Sequence, residues 1–411
     1  MRGKNMALRG SVLIGQSGGP TSVINSSLLG IYEECAKYEF IENIYGAENG
    51  IVGAINGWLI NIRAQDKQQL ELLKNTPSSA LGSCRYKLDK DLQHPDYQKI
   101  LETFVKYNIR YFFYIGGNDS MDSAYKISQY LQAKKYECRV IGIPKTIDND
   151  LDLTDHTPGY GSAAKYIATT LMELKQDANV YSTPSINIVE IMGRNAGWLT
   201  ASAMLAKKAG LGPDLFYLPE QTFSIQEFIV DVQNVLKKQP HVFVVVSEGI
   251  KDAEGNYIAE LYKQATKDAF AHTQLGGVAQ ILANELKKVC DVKSRAIELS
   301  TMQRSSAHLQ SKTDVQEAYN SGVFGATAAI MGHSDKMIAV KRVPGPIYKL
   351  EYGVVSLSRI KNSEKRVPLE WIKKDHTGLT DDFIEYAEPL IQGEMKTPFE
   401  NGLPKYFQFK K

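Results

Sequence analysis

Residues 139–150 read Arg139-Val140-Ile141-Gly142-Ile143-Pro144-Lys145-Thr146-Ile147-Asp148-Asn149-Asp150. The short apolar run 140–143 has the length and β-branched content of a buried strand. It ends not in a hairpin turn but in a lysine and two aspartates. The same arrangement recurs along the chain. Strand 12–15 leads into Gly15-Gln16-Ser17-Gly18-Gly19-Pro20-Thr21 and a helix over 22–35. Strand 111–115 leads into Gly116-Gly117-Asn118-Asp119-Ser120 and a helix over 121–131. Strand 186–192 leads into Met192-Gly193-Arg194-Asn195-Ala196-Gly197, and strand 242–247 into Glu248. Further strands are predicted at 40–45 and 296–300, with amphipathic helices at 120–133, 162–176, 196–208 and 225–238. Strands alternating with helices imply parallel sheets covered on both faces. The fold class is therefore α/β, doubly wound, with two such sheets. From about residue 359 the chain is rich in Lys, Glu and Pro and its periodicity weakens.

The 411 residues carry 48 basic and 46 acidic side chains, a net charge of +2, so the excess of cations expected of a nucleic-acid surface is missing. With 43% hydrophobic and 23% charged residues the composition is that of a globular protein of two to three domains. The sequence has no apolar run long enough for a membrane helix, and its first ten residues, MRGKNMALRG, lack the apolar stretch of a secretory signal. Cys35, Cys84, Cys138 and Cys290 lie far apart without metal-ligand spacing, as expected of idle thiols in a reducing, cytoplasmic compartment.

In open parallel sheets ligands bind beyond the carboxyl ends of the strands, so the junctions are the candidate site. The Gly18 turn can let a backbone approach an anion ahead of a helix N-terminus, or it can be a plain strand-to-helix turn. Asp119 and Ser120 can serve chemistry or simply cap a helix. Arg194, Arg295 and Arg304 can bind phosphate bidentately or decorate a surface. Taken together, an anion turn, a cluster of acids around Lys145 and three arginines suit phosphoryl transfer with a carboxylate base.

The segments SGGPTSVIN, LGSCRY, GGNDS, PKTIDND, PGYGSAAK, EIMGRNAGW, SEG and RAIELSTMQR occur in the order found in the 6-phosphofructokinase family, and over residues 10 to 340 the chain resembles its pyrophosphate-dependent branch. The resemblance implies two phosphofructokinase-like domains with the active site in the cleft between them. These are a donor domain over 1–158, a fructose 6-phosphate domain over 159–303, and segments over 304–411 that return to both and add a C-terminal extension. It implies Asp148 as the base for the sugar's 1-hydroxyl, flanked by Thr146 and Asp150, with Thr146 and Ile147 among the substrate contacts, and Lys145 as support for the transferred phosphoryl group. Asp150 and Asn118 stand where Mg²⁺ is held. Gly18 and Arg85 resemble donor-phosphate contacts. Met192, Gly193, Arg194 and Glu248 resemble sugar contacts, and Arg304 a 6-phosphate ligand. Arg295 resembles an arginine that reaches in from a neighbouring subunit, so a homodimer or homotetramer is implied.

Donor choice is implied by two positions. ATP-using members read GGDG and PGTIDND, whereas here Asp119 and Lys145 replace the glycines, and a carboxylate would repel ATP's α-phosphate. Three positions depart from the family: Asn118 stands for the usual aspartate, and Ser185 and Thr301 stand where bacterial ATP-dependent relatives carry arginine and histidine. The implied reaction is reversible transfer between pyrophosphate and fructose 6-phosphate, giving phosphate and fructose 1,6-bisphosphate. Use of ATP, of sedoheptulose 7-phosphate, or a non-catalytic sensing role are the alternatives.

Overall fold

The computed structural model describes residues 7–262, 277–360 and 364–410. Its first sheet begins with β1 (Gly10–Gln16), β2 (Ile41–Ala47), β3 (Leu59–Asn61), β4 (Ile109–Gly116) and β5 (Arg139–Pro144). The second sheet takes β6 (Ser185–Ile191), β7 (Leu215–Tyr217), β8 (His241–Ser247) and β9 (Lys293–Glu298). The chain then returns to the first sheet with β10 (Lys336–Arg342) and β11 (Leu350–Ser356). The orders are β11-β10-β5-β4-β1-β2-β3 and β7-β8-β6-β9. Neighbours are parallel except at the two edges of the first sheet, where β3 and β11 run antiparallel.

The central strands of both sheets, β1, β4, β5, β6 and β8, are buried on both faces, which is why they read as apolar runs. In β4, Phe112 and Phe113 point to opposite sides and belong to different cores. In β8, Val244 and Val245 do the same. The edge strand β11 alternates between more and less exposed positions and carries Gly353 and Glu351, so its strand signal is weaker.

The predicted helix over 196–208 is broken into Trp198–Ala201 and Ala203–Lys208. The Ser202 hydroxyl donates to the Leu199 carbonyl at 2.6 Å, a local bond that competes with the helical ladder. The weakly periodic C-terminal part is tied to both sheets. Leu357 and Ile360 enter the core on one face of the first sheet. Leu379, Phe383 and Leu390 enter a core of the second, and Phe407 returns to the other face of the first. Among the described residues, no helix is long and apolar enough to cross a membrane.

Each sheet has a point where the strand order reverses. In the first it falls between β1 and β4, in the second between β6 and β9. Ligand sites form at such switch points, beyond the carboxyl ends. The four turns concerned are those at Gly18, Asn118, Gly193 and Thr301.

Candidate active site

A cleft of about 960 Å³ opens where these turns meet, lined from the first sheet by the turns after β1, β4 and β5 and from the second by the turn after β6. Gly18 has φ +75°, a left-handed conformation that favours glycine. Its turn is braced from behind. Gln16 donates to Asn25 at 2.8 Å, and Asn25 donates to the carbonyls of Thr76 and Ser78 at 2.8 and 2.7 Å. The Ser83 hydroxyl donates to the Gly18 carbonyl at 2.7 Å. This network hangs the segment after Thr76 beside the turn and carries Arg85 to the cleft wall.

Lys145 lies beneath the same turn. Only 2% of it is exposed, and its Nζ donates to the Gly19 carbonyl at 2.6 Å. Burial pulls its pKa down to about 8; Asp148 opposes that shift and Arg304 adds to it. A Cβ on Gly19 would stand 2.6 Å from Arg304 Nη1, so the arginine lies directly across the Gly18 turn. Asp148 is pushed above the usual carboxylate range by burial, against a hydrogen bond from the Thr146 hydroxyl at 3.2 Å and the charges of Lys145 and Arg304. Asp150 is raised to about 7 by burial, with Asp148 and Glu364 adding repulsion.

The helix Asn118–Ala133 has no side-chain cap, so the capping role open to Asp119 and Ser120 is not the one adopted. Asn118 instead donates to Asp150 at 3.0 Å, and its own Oδ1 is buried without a hydrogen-bond partner. Asp119 is half exposed and stands 3.8 Å from the Lys87 ammonium. In the second sheet, Gly193 has φ +139° and its N–H donates to Glu248 at 3.2 Å. Burial raises Glu248 to about 7 despite that bond. Met192 N–H donates to Gln303 at 3.3 Å, which ties the Gly193 turn to the residue beside Arg304.

Gly18, Arg85, Asn118, Asp119, Lys145, Thr146, Ile147, Asp148, Asp150, Met192, Arg194 and Arg304 all line the cleft. Gly193 and Glu248 do not line it, though they are joined to each other and Gly193 lies between the lining residues Met192 and Arg194. Arg295 and Thr301 do not line it. Arg295 pairs with Asn187 well inside β9, three residues short of the carboxyl end and so roughly 10 Å from it, and its guanidinium faces the Tyr181 ring at 5.9 Å. Thr301 is exposed at the start of the short helix Met302–Ser305. Ser185 is likewise outside, at the start of β6, bonded to His241 at 3.0 Å.

Two lining residues carry little or no mark in the sequence. Lys87 is signalled only by lying two positions from Arg85. Glu364 comes from the weakly periodic C-terminal part, bridged to Leu151 and held by Asn195 at 2.8 Å, and has no local signal. The cleft's cations include Lys145, Arg85, Arg194 and Arg304, and they face the partly buried carboxylates of Asp148 and Asp150. They can hold a polyanion while a carboxylate takes a proton.

A family model described as Phosphofructokinase matches residues 11–315. The chain is similar to the pyrophosphate–fructose 6-phosphate 1-phosphotransferase of Halomonas elongata, 40% identical over 96% of this chain and 95% of the relative. The protein of that name from Methylococcus capsulatus is also 40% identical, over 95% and 94%. A crystal structure titled pyrophosphate-dependent phosphofructokinase, from Marinobacter aquaeolei, superposes with a TM-score of 0.88 at 35% identity, covering 98% of this chain and 96% of that one.

Proposed function

The chain belongs to the phosphofructokinase family, and from that premise we propose that its cleft transfers a phosphoryl group reversibly between pyrophosphate and the 1-hydroxyl of fructose 6-phosphate. The observation that carries the reading is Lys145, buried under the Gly18 turn and in the field of Asp148. A cation there suits a donor that is all phosphate. Near-full-length relatives named for this reaction support it.

Arg85 and the Gly18 turn hold the far end of pyrophosphate, and Lys145 balances the phosphoryl group in flight. Asp148 takes the proton of the 1-hydroxyl as it attacks in line, with no covalent enzyme intermediate. The Met192–Gly193–Arg194 turn, backed by Glu248, orients the sugar, and Arg304 takes its 6-phosphate.

Magnesium fits the residues present. Asn118 Oδ1 is a buried, unpartnered oxygen beside the Asp150 carboxylate. Among the described residues no three acidic, His or Cys side chains close round a metal position, which suits an ion held by one or two groups and by substrate phosphates. Asn118 and Asp150 would hold it, and when bound it would offset donor charge. A cytoplasmic location goes with these substrates.

Phosphorus NMR tests the reaction from its far side. Fructose 1,6-bisphosphate, phosphate and Mg²⁺ with the purified chain should generate a pyrophosphate signal. No such signal, with no forward turnover either, would dismiss the reading.

Two further outcomes are expected. In the free protein Lys145 is a cation below about pH 8 and neutral above it. The kcat/KM for pyrophosphate should therefore fall as pH rises through that value. Lys145→Arg, which keeps its charge, should move this alkaline limb upward; an unmoved limb would assign it to another group. The site is completed by a second copy, whose Arg295 reaches the sugar phosphate, in a homodimer or homotetramer. Arg295→Ala and Asp148→Asn proteins, each nearly inactive, should regain activity when mixed, and no recovery after demonstrated subunit exchange would mean that one chain builds the whole site.

A further inference from the structure

Asn149 sits between the two carboxylates of the acidic turn, yet none of the chemistry above uses it. It is completely buried and holds φ +55°, in the left-handed region that a non-glycine residue keeps only where its surroundings enforce it. Both ends of its amide are engaged. Oδ1 accepts from the Thr157 N–H at 3.1 Å, and Nδ2 donates to the phenol oxygen of Tyr386 at 2.7 Å. That phenol in turn donates to the Asp155 carbonyl at 2.9 Å, so it accepts one hydrogen bond and gives one.

Tyr386 belongs to the helix Asp381–Ala387, in the part of the chain with the weakest sequence pattern, and does not itself line the cleft. Its ring is fixed on several sides. Trp198 and Trp371 lie 5.0 and 5.8 Å away between centroids, and the Arg342 guanidinium sits 5.0 Å over the ring. The hydroxyl is therefore presented at a set position by packing that does not depend on it.

We propose that Tyr386 is a positioning residue for the phosphoryl-transfer reaction: its hydroxyl clamps Asn149 in the left-handed conformation and so sets where Asp148 and Asp150 stand. The role rests on the reading of the cleft given above. It differs from simple packing because packing needs the ring, whereas the clamp needs only the oxygen.

Tyr386→Phe in the full chain keeps the ring and removes both hydrogen bonds. Tyr111→Phe is the control: it also loses a buried phenol, one that donates to the Leu8 carbonyl at 2.9 Å, in β4 away from the cleft. Tyr386→Phe should lower kcat roughly ten- to a hundredfold, the upper end being the loss that a displacement of about 1 Å can cause, with KM for fructose 6-phosphate within about twofold and a raised Mg²⁺ requirement. Hydrogen exchange over residues 146–152 should accelerate by about tenfold, the loss of one buried hydrogen bond, while residues 16–20 stay unchanged. Tyr111→Phe should keep wild-type kcat. Wild-type kcat and exchange in Tyr386→Phe would overturn the proposal, as would an equal loss of kcat in Tyr111→Phe. A wild-type protein inert with pyrophosphate would instead sink the reaction itself. Exchange over 146–152 reports on the clamp in either case, and an unchanged rate there overturns it.

Discussion

Asp148→Asn is expected to cut turnover by roughly 10²–10⁴-fold, the usual contribution of a positioned general base, with the fold intact and sugar affinity changed only a few-fold. The amide is the same size as the carboxylate and can still accept from the Thr146 hydroxyl, which now donates to Asp148 at 3.2 Å. What is lost is the place for the proton and the charge that faces Lys145. Burial already holds the Asp148 pKa above the ordinary carboxylate range, so its carboxylate is a stronger base than an exposed one would be. Initial rates, with thermal unfolding as the check on folding, decide the matter. A variant that kept most of its turnover would remove Asp148 from the role of base.

The second large effect concerns the donor. Asp119→Gly should let ATP bind roughly 5- to 30-fold more tightly, about 1–2 kcal/mol, while pyrophosphate turnover falls because the same turn shapes the transfer site. The effect lies toward the weak end of charge repulsion at about 4 Å, because the Asp119 side chain is half exposed and Lys87 stands 3.8 Å from it. Lys145 remains, so efficient use of ATP is not expected from this change alone. Binding of ATP to both proteins, by calorimetry at matched Mg²⁺, gives the ratio directly. If Asp119→Gly bound ATP no better than the wild type, the discrimination would lie with Lys145 or elsewhere in the cleft.

How much of the site is legible in the sequence follows from how parallel sheets are built. Their strands are buried on both faces and read as apolar runs, and their ligand sites gather at the turns that end those runs. Lys145, Asp148 and Arg194 therefore stand out in the sequence alone, as charged groups at strand ends. Strands β3, β7, β10 and β11 fall outside the predicted strands: β3 and β7 are edge strands of three residues, β11 is a partly exposed edge, and β10, though internal, is short in apolar residues, with Lys336, Lys341 and Arg342 at its ends. Glu364 and Tyr386 are illegible for a different reason. Each reaches the acidic turn by packing of distant segments, and a long-range contact leaves no periodicity in its own neighbourhood. The role of Asn118 is only half legible. The motif marks its place, but its bond to Asp150 emerges only in the folded turn.

The proposed donor of this cleft is pyrophosphate. Initial rates of fructose 1,6-bisphosphate formation, measured on the purified wild-type chain with pyrophosphate and with ATP at equal free Mg²⁺, test it most directly. Turnover with pyrophosphate, and little or none with ATP, is expected. A wild-type protein that preferred ATP would contradict it.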